Sequence, residues 1–483
     1  MPQQWIETFV FLAWLAGAAA FVLGLHRMNS PATARGGNRL SAAGMAVAIV
    51  ATLVHVATRP GGLGTTAIAI IAIGFLIGGG FGLMVARTIK MTAMPQLVSL
   101  FNAVGGGAAA LVAIDDYIRV LGTPEETVST AIFVVLGVAI GCVTFTGSLV
   151  ASGKLQGLIP GKPIVVPGGR LLTIALAVLA VLGTAALVLG AGGAVALSPA
   201  AKLFILGAII AAGLGFGVTM VLPIGGADMP VVISLLNSFT GTAAAMAGFV
   251  INNPVLIIAG ALVGAAGGIL TKLMADAMNR SLMNIVAGGF GGGEGTVGGP
   301  GVEGAGGSVR EIGPDDVAIQ LAYASSVIVV PGYGLAVAQA QHVVRELAEL
   351  LEARGVDVKY AIHPVAGRLP GHMNVLLAEA NDPYPLLKEM DDINPEFERT
   401  DVVLVVGAND VTNPAARSNP SSPIYGMPIL DVDKAKSIVV IKRSMGRGYA
   451  GIDNELYTNP KTGMLFADAK DGLASLVAAV KAV

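Results

Sequence analysis

About nine stretches of roughly 20 mostly apolar residues fill the first 285 positions, each long enough to cross a membrane. They lie near Trp5–Leu25, Ser41–Ala57, Gly64–Ala86, Gln96–Ile114, Thr127–Val150, Leu171–Gly190, Lys202–Leu222, Val231–Val250 and Val255–Lys272. In hydrocarbon every backbone N–H and C=O must be satisfied by the chain itself, and within a single segment only a helix does that. Composition agrees: 54% of the residues are hydrophobic and 12% are charged, against about 25% charged in ordinary soluble proteins. Purely cytosolic globular proteins, disordered chains and nucleic-acid binders with a basic surface are excluded. The lone cysteine, Cys142, rules out a disulfide framework and a cysteine-built metal site, and its expected role is apolar packing.

Charge divides the chain. Met1 to Ile285 holds 13 Lys/Arg and 7 Asp/Glu, so that part is at +6 and the remainder at −8. Between them Gly288–Gly307 is more than half glycine and reads as a flexible tether. The organisation expected is therefore a transmembrane part over 1–285, a glycine-rich linker over 286–310 and a folded domain over 311–483. The loops with Arg27, Arg35 and Arg39, with Arg87 and Lys90, and with Lys154, Lys162 and Arg170 are basic. The loop carrying Asp115, Asp116, Glu125 and Glu126 is acidic. By the positive-inside rule the basic loops and the tail face the cytoplasm, with the N-terminus outside. The first stretch does not read as a cleaved signal, because it lacks a basic start and arginines follow it.

A repeat runs through the membrane part at an offset of about 135 residues. Gly80-Phe-Gly, Met94-Pro, Ser99, Asn102 and Gly106 recur as Gly215-Phe-Gly, Met229-Pro, Ser234, Asn237 and Gly241. Both copies enter from the same side, which makes this a parallel repeat of spans two to five and six to nine. Polar groups inside a bilayer are costly and tend to mark a pathway. Ser99 with Asn102, and Ser234 with Asn237 and Ser238, share helix faces by their i, i+3 and i+4 spacing, and Asp228 stands at the cytoplasmic mouth. The competing reading is that such groups glue helices together.

The domain over 311–483 opens with a helical connector, Asp315 to Tyr323, followed by a β-branched run Val327–Val330 that reads as a buried parallel strand. The run leads into Pro331-Gly332-Tyr333-Gly334-Leu335-Ala336-Val337 and an expected long helix, Ala338 to Arg354. That order aims backbone N–H groups at a pyrophosphate, although Val337 fills the third glycine position. The next strand, Val356 to Ile362, ends in His363-Pro364, with no acid for a ribose 2′-hydroxyl, which counts against NAD. Val402–Val406 opens into Gly407-Ala408-Asn409-Asp410-Val411, and Ser437–Ile441 into Lys442-Arg443-Ser444-Met445-Gly446-Arg447-Gly448-Tyr449. Two cations and a hydroxyl at one strand end suit a monoester phosphate. Together the three loops read as an NADP(H) crevice, with Val365-Ala366-Gly367-Arg368-Leu369-Pro370 adding a cation beside the pyrophosphate. His342, His363 and His372 lack metal-ligand spacing, and no metal is expected.

The fold class expected is thus a multispan α-helical membrane domain plus a C-terminal Rossmann-like α/β domain with a doubly wound parallel sheet. The segments PGYGLAVAQAQ, HPVAGRLPGHMNVLLAEA, GANDVTNPAA, GMPIL, KRSMGRGYAG and MLFADAK, in this order behind a multispan part, resemble the proton-translocating NAD(P) transhydrogenase family, more narrowly the beta subunit of its bacterial form. The resemblance implies a multi-pass protein of the bacterial inner membrane with a cytoplasmic C-terminal domain, holding NADP(H). It also implies an NAD(H)-binding alpha subunit as partner, a dimer of alpha–beta units and surrounding lipid, with no nucleic acid. Hydride would pass directly between the two nicotinamides, coupled to proton movement. Carried over residue by residue, Tyr333, its neighbouring glycines and Val365 to Pro370 would hold the pyrophosphate. Asn409 and Asp410 would lie at the nicotinamide and its ribose, and Lys442, Arg443 and Ser444 at the 2′-phosphate. Gly446 to Tyr449 would form a lid, and Gly426, Met427, Asp468 and Ala469 would be further contacts. Asp228, Asn237 and Ser238 match positions linked to proton translocation. Relatives often carry a histidine where Asn102 stands, so the protonatable group is expected elsewhere. The rival class is a cation or solute antiporter with a nucleotide-sensing domain.

Overall fold

The computed structural model describes residues 3–58, 62–161, 163–225, 228–279, 309–368, 371–448 and 450–483. Of the residues singled out above, Lys162, Leu369, Pro370, Tyr449 and nearly all of the glycine-rich linker lie outside the described residues. The chain forms two compact units, Met1–Pro223 with Val232–Leu270, and Ile224–Val231 with Thr271–Val483.

Among the described residues nine helices are long and apolar enough to cross a membrane. They are α1 Gln3–Arg27, α2 Pro31–Ala57, α3 Thr65–Thr88, α4 Met94–Val120, α5 Val128–Gln156, α6 Gly169–Ala191, α7 Pro199–Val221, α8 Met229–Val250 and α9 Pro254–Ala277. The two Met-Pro motifs open α4 and α8 at the same position. Helix α2 begins ten residues before the apolar stretch does, because Pro31 sits in the first turn after an extended Ser30. Arg35 and Arg39 are accordingly helical and not loop residues. Lys154 is likewise on α5, buried, with its ammonium donating to the Leu222 carbonyl that closes α7.

Small residues let these helices approach closely. A Cβ on Gly106 of α4 would lie 2.7 Å from the Thr144 Cβ of α5, and one on Gly213 of α7 would lie 2.9 Å from the Cys142 Cβ. Cys142 is buried among Val138, Leu206 and Ile209, an apolar packing role. His55 meets the Trp14 ring edge-on at 5.3 Å. Glu126, in the acidic loop, accepts hydrogen bonds from Lys202 Nζ at 2.6 Å and the Gly122 N–H at 3.0 Å. That nearly buried pair joins the α4–α5 connection to α7.

The soluble fold is a six-stranded, wholly parallel sheet in the order β3-β2-β1-β4-β5-β6. The strands are β1 Ser326–Pro331, β2 Asp357–Ile362, β3 Leu387–Glu389, β4 Val402–Val406, β5 Ser437–Lys442 and β6 Thr462–Phe466. This is the doubly wound order whose direction reverses between β1 and β4, where ligands bind beyond the carboxyl ends of the strands. The central strands are near-continuous Val/Ile runs because both faces are covered. One core collects Ile328, Val330, Val403, Val405, Ile438 and Val440 with Phe397 and Tyr457. The residues before the first helix add a rung at the far edge: Ile312 N–H donates to Met464 O at 3.0 Å and Met464 N–H to Arg310 O at 2.8 Å.

The helix expected from Ala338 instead spans Gln341–Ala353 and follows a separate helical turn, Tyr333–Val337. Gln339 adopts φ +51, and that left-handed residue breaks the continuity.

Candidate functional site

At the reversal point the glycine loops of β1 and β4 interlock. Gly332 N–H donates to Val406 O at 2.9 Å, and Gly334 N–H donates to Gly407 O at the same distance. A Cβ on Gly334 would lie 2.7 Å from the Gly407 Cα, and one on Gly332 would collide with the Ala408 backbone. Gly407 itself has φ +66. These glycines are required by the close backbone crossing at the reversal of the sheet, which leaves a floor of main chain without side chains. Ala336 is buried beneath that floor, whereas Val337 is exposed.

The loop after β2 stands beside this floor. The Arg368 guanidinium lies over the Tyr333 ring, 4.3 Å from its centroid. Val365 N–H donates to His363 Nδ1 at 3.2 Å, and Arg368 N–H to His372 Nδ1 at 3.1 Å. Ala366 is buried, and Gly367 takes φ +102 against the His372 ring. His363 also donates from Nε2 to Pro428 O at 2.8 Å; burial pushes its imidazole down to about 4. Sequence reasoning weighed both histidines only as metal ligands. Their role is to hold this loop, and the signal was their position at its two ends.

After β4, Asn409 O accepts from Asn454 Nδ2 at 3.1 Å and from Thr412 Oγ1 at 2.9 Å. Asp410 Oδ2 accepts the Ala450 N–H at 3.0 Å. A Cβ on Gly448 would lie 2.5 Å from Asp410 Oδ1. Val411 packs between the main core and a small apolar cluster of Ala416, Ile424, Met427 and Ile429, on which Ala450 and Ile452 rest. Met427 is thus a core residue in the cluster that Ala450 and Ile452 pack against, and Gly426 next to it turns at φ +77.

The two cations after β5 do different things. Lys442 turns inward, 5.0 Å over the Tyr457 ring, with its ammonium on Gly446 O. Burial lowers its pKa, partly opposed by the charges of Asp410 and Asp453. Arg443, Ser444 and Met445 are exposed, and Arg443 forms no ion pair among the described residues. Arg447 pairs with Asp453 at 2.9 Å on the surface. Asp468 caps the last helix by accepting the Lys470 N–H at 3.1 Å, and Ala469 is buried behind it. Asn454, Asp453 and Tyr457 were not anticipated, since only the fold brings them under the β4 loop.

The residues fit a phosphorylated dinucleotide in the nature of their donors. The donors are a backbone floor without side chains, an arginine stacked on Tyr333 and an exposed Arg-Ser pair after β5, and the loop after β4 adds the carboxylate of Asp410.

In the membrane unit, Ser99 Oγ donates to Ser148 O of α5 at 2.8 Å, and Ser238 Oγ donates to Gly264 O of α9 at 2.6 Å. Asn102 Nδ2 reaches Ile233 O of α8 at 3.4 Å, while Thr240 Oγ1 returns a bond to Asn102 O at 3.3 Å. Asn102 is buried and Asn237 only partly so. These hydroxyls and amides stitch α4, α5, α8 and α9 together. Asp228 precedes α8 in a turn.

The family model described as NAD(P) transhydrogenase beta subunit matches residues 10–479. The chain belongs to that family. It is similar to NAD(P) transhydrogenase subunit beta of Rhodospirillum rubrum, with 48% identity over 479 residues covering 98% of this chain and 99% of the relative. A second sequence from that species matches to the same extent. A transhydrogenase beta subunit with nine membrane-competent helices among its described residues and a Rossmann-like domain is a multi-pass membrane protein.

Proposed function

We infer that the chain holds NADP(H) beyond β1 and β4 and offers its nicotinamide to NAD(H) on an alpha subunit. The exchange is coupled to proton translocation through the helical unit. The interlocked glycine loops at the reversal of the sheet carry this reading, supported by the family to which the chain belongs. When bound, the nucleotide supplies the hydride chemistry, and the protein sets its approach. Gly332, Tyr333, Gly334 and the 365–370 loop would hold the pyrophosphate, with Arg368 as its cation. Arg443 and Ser444 would take the 2′-phosphate, and Lys442 would brace the strand end from inside.

Asp410 and Asn409 would lie at the nicotinamide end. Asp410 holds the Ala450 backbone by accepting its N–H, and Gly448 approaches the same carboxylate, so the segment after β5 is tied to the loop after β4. Coupling needs a two-state element whose states differ in nucleotide affinity, and that segment is the element proposed. In the helical unit Asn237, Ser238 and Asn102 would line the proton path, and Asp228, in the turn before α8, is proposed to take part in proton translocation. The assembly is a dimer of alpha–beta units in a bacterial inner membrane, with the C-terminal domain cytoplasmic.

The test is reduction of an NADP analogue by NADH in vesicles holding this chain and its partner, with and without an uncoupler. Hydride exchange that responds to the uncoupler supports the reading. A purified chain that retains NADH in preference to NADPH would sink it.

A further inference from the structure

We propose that His372 is a positioning residue for the 365–368 loop, latching it only while its imidazole is neutral and letting nucleotide go when it is protonated. The inference rests on the reading that this loop holds the pyrophosphate of NADP(H), and adds to it a way in which acid loosens the grip.

His372 opens the helix His372–Glu379 and is buried, with 1% exposure. Its Nδ1 accepts the Arg368 N–H at 3.1 Å. A neutral imidazole that accepts at Nδ1 carries its proton on Nε2. The same ring fills the space that a side chain on Gly367 would need, whose Cβ would lie 2.7 Å from the His372 Cβ. Gly367 stands at φ +102, a conformation glycine tolerates and the ring backs. One bond and one contact from His372 therefore fix the two residues that aim Arg368 over Tyr333.

Protonation removes the acceptor. An imidazolium donates from both nitrogens, so Nδ1–H would face the Arg368 N–H and the bond would become a repulsion. Among the described residues Nε2 is buried without a hydrogen-bond partner, so the charged ring finds no acceptor there on its other side. The charged and titratable groups around it favour the neutral ring or leave it alone. Arg368 comes from the loop, and the Tyr333 ring sits 6.2 Å away on the turn after β1. On the neighbouring helix Gln341 bonds the carboxylate of Glu379 at 3.3 Å. Burial first, and then the Arg368 charge, hold this imidazole below its ordinary value of 6.5. For a group depressed in this way the latch is complete above the ordinary value and fails as pH falls through the lowered one.

The test uses the full chain assembled with its partner, purified in detergent, comparing wild type with His372→Asn and His372→Gln. The Asn oxygen falls near the Nδ1 position and cannot protonate, whereas Gln reaches toward Nε2. NADPH affinity is measured by equilibrium dialysis from pH 7.5 to 5, and amide exchange of the 363–372 peptide is followed with and without NADP+. Wild type should lose NADPH as the pH falls, with faster exchange in this peptide. His372→Asn should keep neutral-pH affinity and flatten the acid limb. His372→Gln should weaken NADPH about three- to tenfold at every pH, the worth of one net hydrogen bond. An acid limb in His372→Asn equal to that of wild type overturns the latch. NADP+ that binds without protecting the 363–372 peptide overturns instead the reading that this loop holds the nucleotide.

Discussion

The carboxylate of Asp410 accepts the backbone N–H of Ala450 at 3.0 Å, so the acid after β4 and the segment after β5 form one hydrogen-bonded unit. Hydrogen bonds to a charged group contribute about 1.5–3 kcal/mol. Asp410→Asn keeps the shape and removes the charge. We expect NADP(H) affinity to fall about tenfold or more and coupling to proton movement to fall with it. Titration of NADPH together with vesicle acidification checks both, and wild-type values for both would remove Asp410 from the coupling element.

The two cations after β5 should separate on mutation. Arg443 is exposed and forms no ion pair among the described residues, so Arg443→Ala should leave thermal stability within about 0.5 kcal/mol. It should nevertheless weaken NADPH and relax discrimination against NADH. Lys442→Ala should lower stability as well, because its stem and ammonium rest on Tyr457 and Gly446. Dialysis with both nucleotides, alongside melting curves, distinguishes them; unaltered selectivity in Arg443→Ala moves the 2′-phosphate elsewhere.

Gly407→Ala should unfold the nucleotide domain or nearly so. The left-handed φ of +66 costs a side chain about 1–2 kcal/mol, and the Gly334 backbone occupies the space a methyl would need. Overpacking adds about 1–3 kcal/mol. Loss of the domain's melting transition is the expected result. A stable Gly407→Ala chain would show that the two loops part without penalty.

Acid should destabilise this domain through His363. Its folded value of about 4 lies below the ordinary 6.5, so its contribution is complete above about 6.5 and disappears as pH falls through about 4. At about 1.4 kcal/mol per pH unit the loss approaches ~3 kcal/mol. Melting curves of the full chain between pH 7 and pH 4 measure it. A flat profile would mean that burial does not disfavour the proton on this ring, which keeps its Nε2 bond to Pro428 O in either state.

Ser238→Ala removes the 2.6 Å bond to Gly264 O between α8 and α9. Interhelical bonds of this kind average about 0.6 kcal/mol. We expect that loss in stability and a reduced proton flux, with hydride exchange between bound nucleotides retained. Proton flux identical to wild type would assign the hydroxyl to helix packing alone.

Much of this architecture was legible because physics left few options. Val402 to Val406 and Ser437 to Ile441 could only be interior strands, and the apolar spans could only be helices. What escaped the sequence depends on residues far apart in the chain. Leu387–Glu389 is an edge strand of three mixed residues and carries no alternation to read. Lys442 reads as a phosphate ligand, and nothing in the sequence signals that it also lies over Tyr457, fifteen residues on. Glu126 reads as one more acid in an acidic loop until Lys202 arrives from α7. The break at Gln339 is a single backbone angle in a segment whose composition favours helix throughout.

Arg310 and Ile312 enter the nucleotide domain as a rung on β6, and β6 is the hydrogen-bonded neighbour of β5 in a register that sets Phe466 against Lys442. A pull on the main chain just upstream of Arg310 would therefore fall on an outer strand at Met464, whose partner across the ladder is Val440, two residues before Lys442. The domain thus has a handle, attached two residues short of the strand end after which Arg443 stands.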